Sequence, residues 1–357
     1  MTTSKLLVFT GSYSEKEDSG IHVYELDEST YELSLLSQEK GLKNPTFLHV
    51  DKEKNRLVSI GEMSAADGSK AGEVIAYTIK PESGELEFMN RAQSAYAPTC
   101  HVQKDPQGKY LVISSYHGGT VSLVSLKEDG SIGEMLDSKQ HAGQGSHPER
   151  QDRPHVHSAF FSPDGQYIMV QDLGLDKIFV YQIDREKEEL VLHREVNTHA
   201  AAGPRHLVFH PNGKYAYVIN EVDSTVTSYA YDGQEGNLTE IQTLPTLPND
   251  FTGENTCAEI TISSDGRFVY GSNRGHDSIV VYAALDNGSL EYVQHISTEG
   301  AHPRHFALTP SGNLLLVANR DTNNITLFQV NKETGELTYT GKQMESPKPV
   351  CVWPVYM

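Results

Sequence analysis

The chain has 357 residues, with 29 Lys and Arg against 48 Asp and Glu, and a formal net charge of −19. That balance disfavours nucleic acid and anionic membranes as partners, because both repel a negative field, but it leaves room for a small anion at a local arginine cluster. The three cysteines (Cys100, Cys257, Cys351) lack metal-type spacing and read as reduced thiols of a cytoplasmic protein, and the opening MTTSKLLVFTGSY is too briefly apolar for a secretion signal or a spanning helix.

Three strand-like runs come first: LLVFTG, GIHVYEL and YELSLLS. At Pro45 a unit begins that the chain then repeats. Its degenerate first copy is PTFLHVDKEKNRLVSIGE, with a Gly/Ser/Asp/Ala insertion after Glu62. Later copies carry PQGKYLVISSY, PDGQYIMVQDL, GPRHLVFHPNGKYAYVINE, SDGRFVYGSNR and PRHFALTPSGNLLLVANR. Each pairs two apolar-rich runs across a Pro/Asp/Asn-Gly turn, because Pro presets φ and Asn-Gly accepts φ > 0. A third strand follows at constant spacing and a fourth after another turn. Recurrence about every fifty residues, with four strands and few helix signals, describes propeller blades.

First strands begin near Pro45, Thr99, Val156, Pro204, Cys257, Pro303 and Pro349. The last, KPVCVWPVYM, has no partners after it, whereas the three N-terminal strands lack a first strand. The reading is therefore an all-β, seven-bladed β-propeller over 1–357. It has four antiparallel strands per blade and forms a single domain, closed when the C-terminal strand joins the N-terminal three. Closure removes exposed sheet edges.

Up-and-down connection puts the starts of first strands and the ends of second strands on one face. Aligned on the turn glycines, the first-strand column reads Thr46, Cys100, His157, Arg205, Ala258, Arg304. The next position reads Phe47, His101, Ser158, His206, Glu259, His305, and the second-strand column reads Glu62, Tyr116, Leu173, Glu221, Arg274, Arg320. Cations around one axis require a neutralising carboxylate or anion, and arginine suits bidentate phosphate or carboxylate recognition. The same residues also admit a plain reading as strand-end caps. Two loops are expected beside this mouth. His141–Ser158 holds His141, His147, His155 and His157 with Arg150 and Arg153, without a specific metal-ligand spacing. Leu247–Ile260 is expected to bring Asn255 and Glu259 near Arg274. No P-loop or Gly-rich phosphate cradle is present.

GSHPERQDRPHVHS, GPRHLVFHPNGKYAYVINE, FTGENTCAEITISSDGRFVYGSNRGHDSI and HPRHFALTPSGNLLLVANRDTNNI resemble the lactonase family of seven-bladed propellers. They span roughly the C-terminal three-fifths, and Asn273–Ile279 is a particularly specific string. The family includes 6-phosphogluconolactonases and a fungal carboxymuconate cyclase. The resemblance implies a catalytic set of His157, Arg205, Glu221 and Arg274. With an anionic sugar lactone as the substrate the resemblance implies, contacts to it are expected from His155, His206, Glu259, Arg304, His305 and Arg320, of which Arg304, Arg320 and His305 are candidates for a phosphate. Neither metal nor cofactor is expected, since a δ-lactone is already an activated ester. Either Glu221 or His157 is the expected base. A muconate-type cyclase and a non-catalytic scaffold are the alternatives.

Overall fold

The computed structural model describes residues 4–65 and 67–357. Met1–Thr3 and Ala66, the latter inside the first blade's insertion, lie outside the described residues. Seven four-stranded antiparallel sheets form the blades. Their inner strands are Leu48–Asp51, His101–Lys104, Val156–Phe161, Pro204–Phe209, Thr256–Ile262, Pro303–Leu308 and Pro349–Tyr356. Among the described residues, no helix is long and apolar enough to cross a membrane.

The turn chemistry acts as the sequence predicts. In blade four Gly213 takes φ 70° and donates its N–H to the His210 carbonyl at 2.9 Å. The two inner strands this turn joins are almost wholly buried, whereas the outermost strands face solvent on one side. Blades adhere through apolar layers between neighbouring sheets. Tyr217 and Ile219 of blade four pack with Val269, Val280 and Tyr282 of blade five, all at 4% exposure or less. Burial of this kind contributes roughly 25 cal/mol per Å² of apolar surface.

The ring closes as expected. Pro349–Tyr356 pairs antiparallel with Leu6–Ser12, placing Leu7 opposite Val355 and Phe9 opposite Trp353. Leu7, Val8 and Phe9 have no exposure.

The inner strands depart from simple alternation at their channel ends. The register slips between Val156 and Ser158, Pro204 and His206, Cys257 and Ile260, and Pro303 and His305. Each slip is a β-bulge that sets extra residues of the inner strand against its neighbour and re-aims their side chains. The residues inserted are His157, Arg205, Ala258 with Glu259, and Arg304. Both Arg205 and His206 can thereby face the channel, at different heights.

Removing Pro349–Met357 leaves Leu6–Ser12 as an open apolar edge. The truncated chain should lose its cooperative thermal transition and elute as aggregates in gel filtration. A monomeric, wild-type melt would show that closure is dispensable.

Candidate active site

Glu221 follows strand Tyr215–Asn220 of blade four, where its N–H donates to the Gly203 carbonyl at 2.8 Å. Its carboxylate receives three guanidiniums. Arg205 Nε lies 2.9 Å from Oε2, Arg274 Nη2 lies 2.7 Å from the same oxygen, and Arg150 Nη2 pairs with Oε1. Arg205 Nη1 also donates to the Ala258 carbonyl at 2.5 Å, and Arg274 Nη2 donates to the Cys257 carbonyl at 2.5 Å. Glu221, Arg205 and Arg274 are all buried.

Burial alone would push the Glu221 carboxyl up. Arg274, Arg205, Arg150 and Arg304 together outweigh it and hold the group well below the usual carboxylate range. Burial and the neighbouring Arg274 and Arg304 bring Arg205 down to about 9, still charged at neutral pH. The carboxylate is thus a fixed anion that lets buried cations coexist.

His157 enters on the bulge of blade three and is 4% exposed. Its Nδ1 has no hydrogen-bond partner among the described residues. Burial, with Arg205, His206, Arg304 and Arg274 nearby, holds it well below an ordinary histidine, so the ring is neutral at pH ~7. The Cys100 Sγ donates to the His157 carbonyl at 3.1 Å, and burial pushes that thiol up to about 11, leaving it inert.

His157, Glu221, Arg304, Tyr116, His117 and Tyr13 line a cavity of about 240 Å³ at the mouth. The Arg304 guanidinium lies 5.7 Å from the Tyr13 ring centroid. Among the described residues it makes no hydrogen bond or ion pair, so its donors are available to a ligand.

Several expected contacts lie elsewhere. His206, Glu259 and His305 sit one layer deeper. His206 Nδ1 is 3.1 Å from Glu259 Oε1, and His305 Nε2 is 3.3 Å from Glu259 Oε2. Phe47 packs against His101, His305 and His206 at ring distances of 4.4, 5.7 and 6.1 Å. This layer lines a separate cavity of about 480 Å³ that reaches Asp265 and Gly312 in hairpin turns of the other face. Glu259 therefore pairs with histidines rather than approaching Arg274. His155 stacks on Tyr116 at 4.2 Å and braces the wall from behind. Arg320 is engaged by its neighbour Asp321 at 2.6 and 3.1 Å, in a shallow recess with Lys348 that adjoins the Glu221 cavity across Tyr13.

The loop residues divide by task. Asn255 meets expectation, with Nδ2 donating to Asn273 Oδ1 at 3.1 Å and Oδ1 accepting from His276 N at 3.1 Å. Gly275 holds φ 126°, and a Cβ there would lie 2.2 Å from the Glu254 carbonyl oxygen, so Asn273–Ile279 admits only glycine after Arg274. His141 instead bonds Asp172 Oδ2 at 2.7 Å and the Tyr181 hydroxyl at 3.0 Å, away from the mouth. Among the described residues, no group of three or more His, Cys, Asp or Glu is placed to hold a metal ion.

The sequence puts Tyr116 in the second-strand column and Arg150 in a loop beside the mouth, but it assigns neither of them a contact with Glu221 or with substrate. Arg150 stands in an irregular loop with no periodicity to fix its direction. The signal available was charge alone: a second-strand glutamate with cations on both sides of it.

A family profile described as "Lactonase, 7-bladed beta-propeller" matches residues 7–354. The chain belongs to the lactonase family of seven-bladed propellers. Within this family it is 38% identical over 351 residues to a 6-phosphogluconolactonase of Bacillus subtilis (strain 168), with 98% of each chain covered. A 6-phosphogluconolactonase of Formosa agariphila is 34% identical, covering 92% of this chain and 94% of its own. The solved periplasmic gluconolactonase of Pseudomonas aeruginosa superposes with a TM-score of 0.91 at 30% identity, covering 98% of this lactonase-family chain and 99% of its own.

Replacing Glu221 by Gln leaves three guanidiniums without their counter-charge and should cost about 3–5 kcal/mol. Because the folded carboxyl lies below its unfolded value, its contribution is fully present at neutral pH and lost as pH falls through and below the carboxylate range. The melting gap between wild type and Glu221→Gln should narrow by about pH 3. A gap constant from neutral to acid pH would contradict this.

Proposed function

We propose that this protein hydrolyses 6-phospho-D-glucono-1,5-lactone to 6-phosphogluconate in the cytoplasm, as a lactonase of the pentose phosphate pathway. The observation that carries the reading is Glu221, held ionised by Arg205, Arg274 and Arg150, lining one cavity with neutral His157 and with Arg304, which is unpaired among the described residues. The lactone-acting relatives support the reaction class, and Arg304 supports the phosphate. The three cysteines are unpaired, which fits a reducing compartment.

The chemistry follows from protonation states. Both oxygens of Glu221 are taken up by guanidiniums, so its role is to fix them, whereas His157 Nδ1 has no partner among the described residues. His157 takes a proton from water, whose oxygen adds to the lactone carbonyl carbon. The cationic field of Arg205 and Arg274 behind Glu221, which lines the cavity beside His157, stabilises the developing oxyanion. Collapse breaks the bond to the ring oxygen, which takes the proton back from the His157 imidazolium. The products are a carboxylic acid, ionised at neutral pH, and a hydroxyl. Arg304 holds the phosphate and so favours the phosphorylated lactone over glucono-1,5-lactone.

Acid release from freshly generated 6-phosphogluconolactone, above its spontaneous rate, tests this. His157→Ala should lower kcat by about 10²–10⁴-fold. Arg304→Ala should raise KM for the phosphorylated lactone while sparing the unphosphorylated one. The acid limb of kcat/KM should lie below the ordinary histidine value of about 6.5, because the free-enzyme imidazole resists protonation. No acceleration of either lactone, or consumption of a carboxymuconate instead, would overturn the reading.

A further inference from the structure

The three guanidiniums on Glu221 are not equivalent. The Arg205 and Arg274 side chains are 3% and 6% exposed, and each is tied a second time to a backbone carbonyl. Arg150 is 34% exposed, comes from a loop, and has no backbone carbonyl partner for its guanidinium among the described residues. The loop beneath it is firmly built. Gln151 Nε2 donates to the Leu173 carbonyl at 2.8 Å and to Asp176 Oδ1 at 2.5 Å, and Arg150 N donates to His147 Nδ1 at 3.2 Å. The side chain can therefore turn while its backbone stays in place. Arg150 precedes blade three and Arg304 belongs to blade six, so the two reach the mouth from opposite sides of the ring.

We infer that Arg150 is an exchangeable clamp that discriminates for a phosphorylated lactone. It bonds Glu221 in the free enzyme and transfers to the substrate phosphate, which Arg304 meets from the opposite side. This rests on the phosphorylated-lactone reading above. The exchange trades a charge-assisted bond to one carboxylate oxygen for one to a phosphate dianion, whose larger charge and additional acceptor oxygens drive it. A neutral hydroxymethyl group does not, because it offers only an uncharged hydrogen bond in return. Departure of Arg150 uncovers Glu221 Oε1 at the edge of the cavity, as an acceptor that can orient the attacking water. Binding of the correct anion thereby completes the site, which couples specificity to turnover rather than to affinity alone.

The test compares wild type, Arg150→Ala, Arg150→Lys and Arg153→Ala on 6-phosphogluconolactone and glucono-1,5-lactone. Calorimetric binding of 6-phosphogluconate runs alongside. Arg153 is exposed on the same loop and serves as the charge control. The preference for the phosphorylated lactone should fall about a hundredfold in Arg150→Ala, recover in part in Arg150→Lys and hold in Arg153→Ala. Arg150→Ala should also weaken 6-phosphogluconate binding. Equal loss on both lactones would assign Arg150 a structural role and overturn the clamp, as would an unchanged preference. The same loss in Arg153→Ala would replace it by a diffuse cationic field. If wild type binds 6-phosphogluconate through Arg150 yet hydrolyses neither lactone, the proposed reaction falls and the anion clamp stands. If wild type is active and Arg150→Ala keeps its preference, the clamp alone falls.

Discussion

One buried carboxylate makes the mouth of this propeller possible. Arg205 and Arg274 are removed from water by the blades around them, and burying either without a counter-charge would be strongly unfavourable. Glu221 offsets that cost for both, and for Arg150 above them. The same arrangement sets the protonation states of the two groups. The cations that hold the carboxylate ionised also weaken the buried imidazole as a proton acceptor, but they leave it neutral with its lone pair. Electrostatics thus keeps Glu221 ionised and His157 neutral at pH ~7.

The fold supplies this geometry through irregularity. In regular strands successive residues point to opposite faces, so only one of Arg205 and His206 would meet the channel. The bulges on the inner strands put both there, and the channel gains two tiers. The upper tier carries Glu221, its arginines and His157. The lower tier, His206, Glu259 and His305 with Phe47 against them, fills the channel beneath. The cavity at the mouth is then bounded below by side chains, and the other cavity is reached from the opposite face.

How much of this the sequence reveals depends on periodicity. The blades, their four strands and the ring closure are legible because the turn glycines recur and alternation marks each strand. The pairing of Arg205 with Glu221 is legible because both flank a single hairpin whose ends must meet. The two tiers are not, since a bulge adds a residue without leaving a mark in the hydrophobic pattern. For that reason His206, Glu259 and His305 look like neighbours of Arg205 in sequence but lie below it. Arg320 looks equivalent to Arg274 by column, yet the Asp321 beside it captures the guanidinium. Arg150 is hidden for the opposite reason. Its loop has no period, and only the folded Gln151 and Asp176 contacts fix where it points.

The central claim is that Glu221 stays ionised and acts as an anchor. The direct measurement is a pH titration of the carboxyl carbons of glutamate-labelled protein by NMR, with the Glu221 signal assigned by its loss in Glu221→Gln. This carbon should show no titration down to about pH 3, while exposed glutamates titrate near their ordinary value of about 4.3. A Glu221 midpoint at or above that ordinary value would contradict it, and would return the carboxylate to the role of general base.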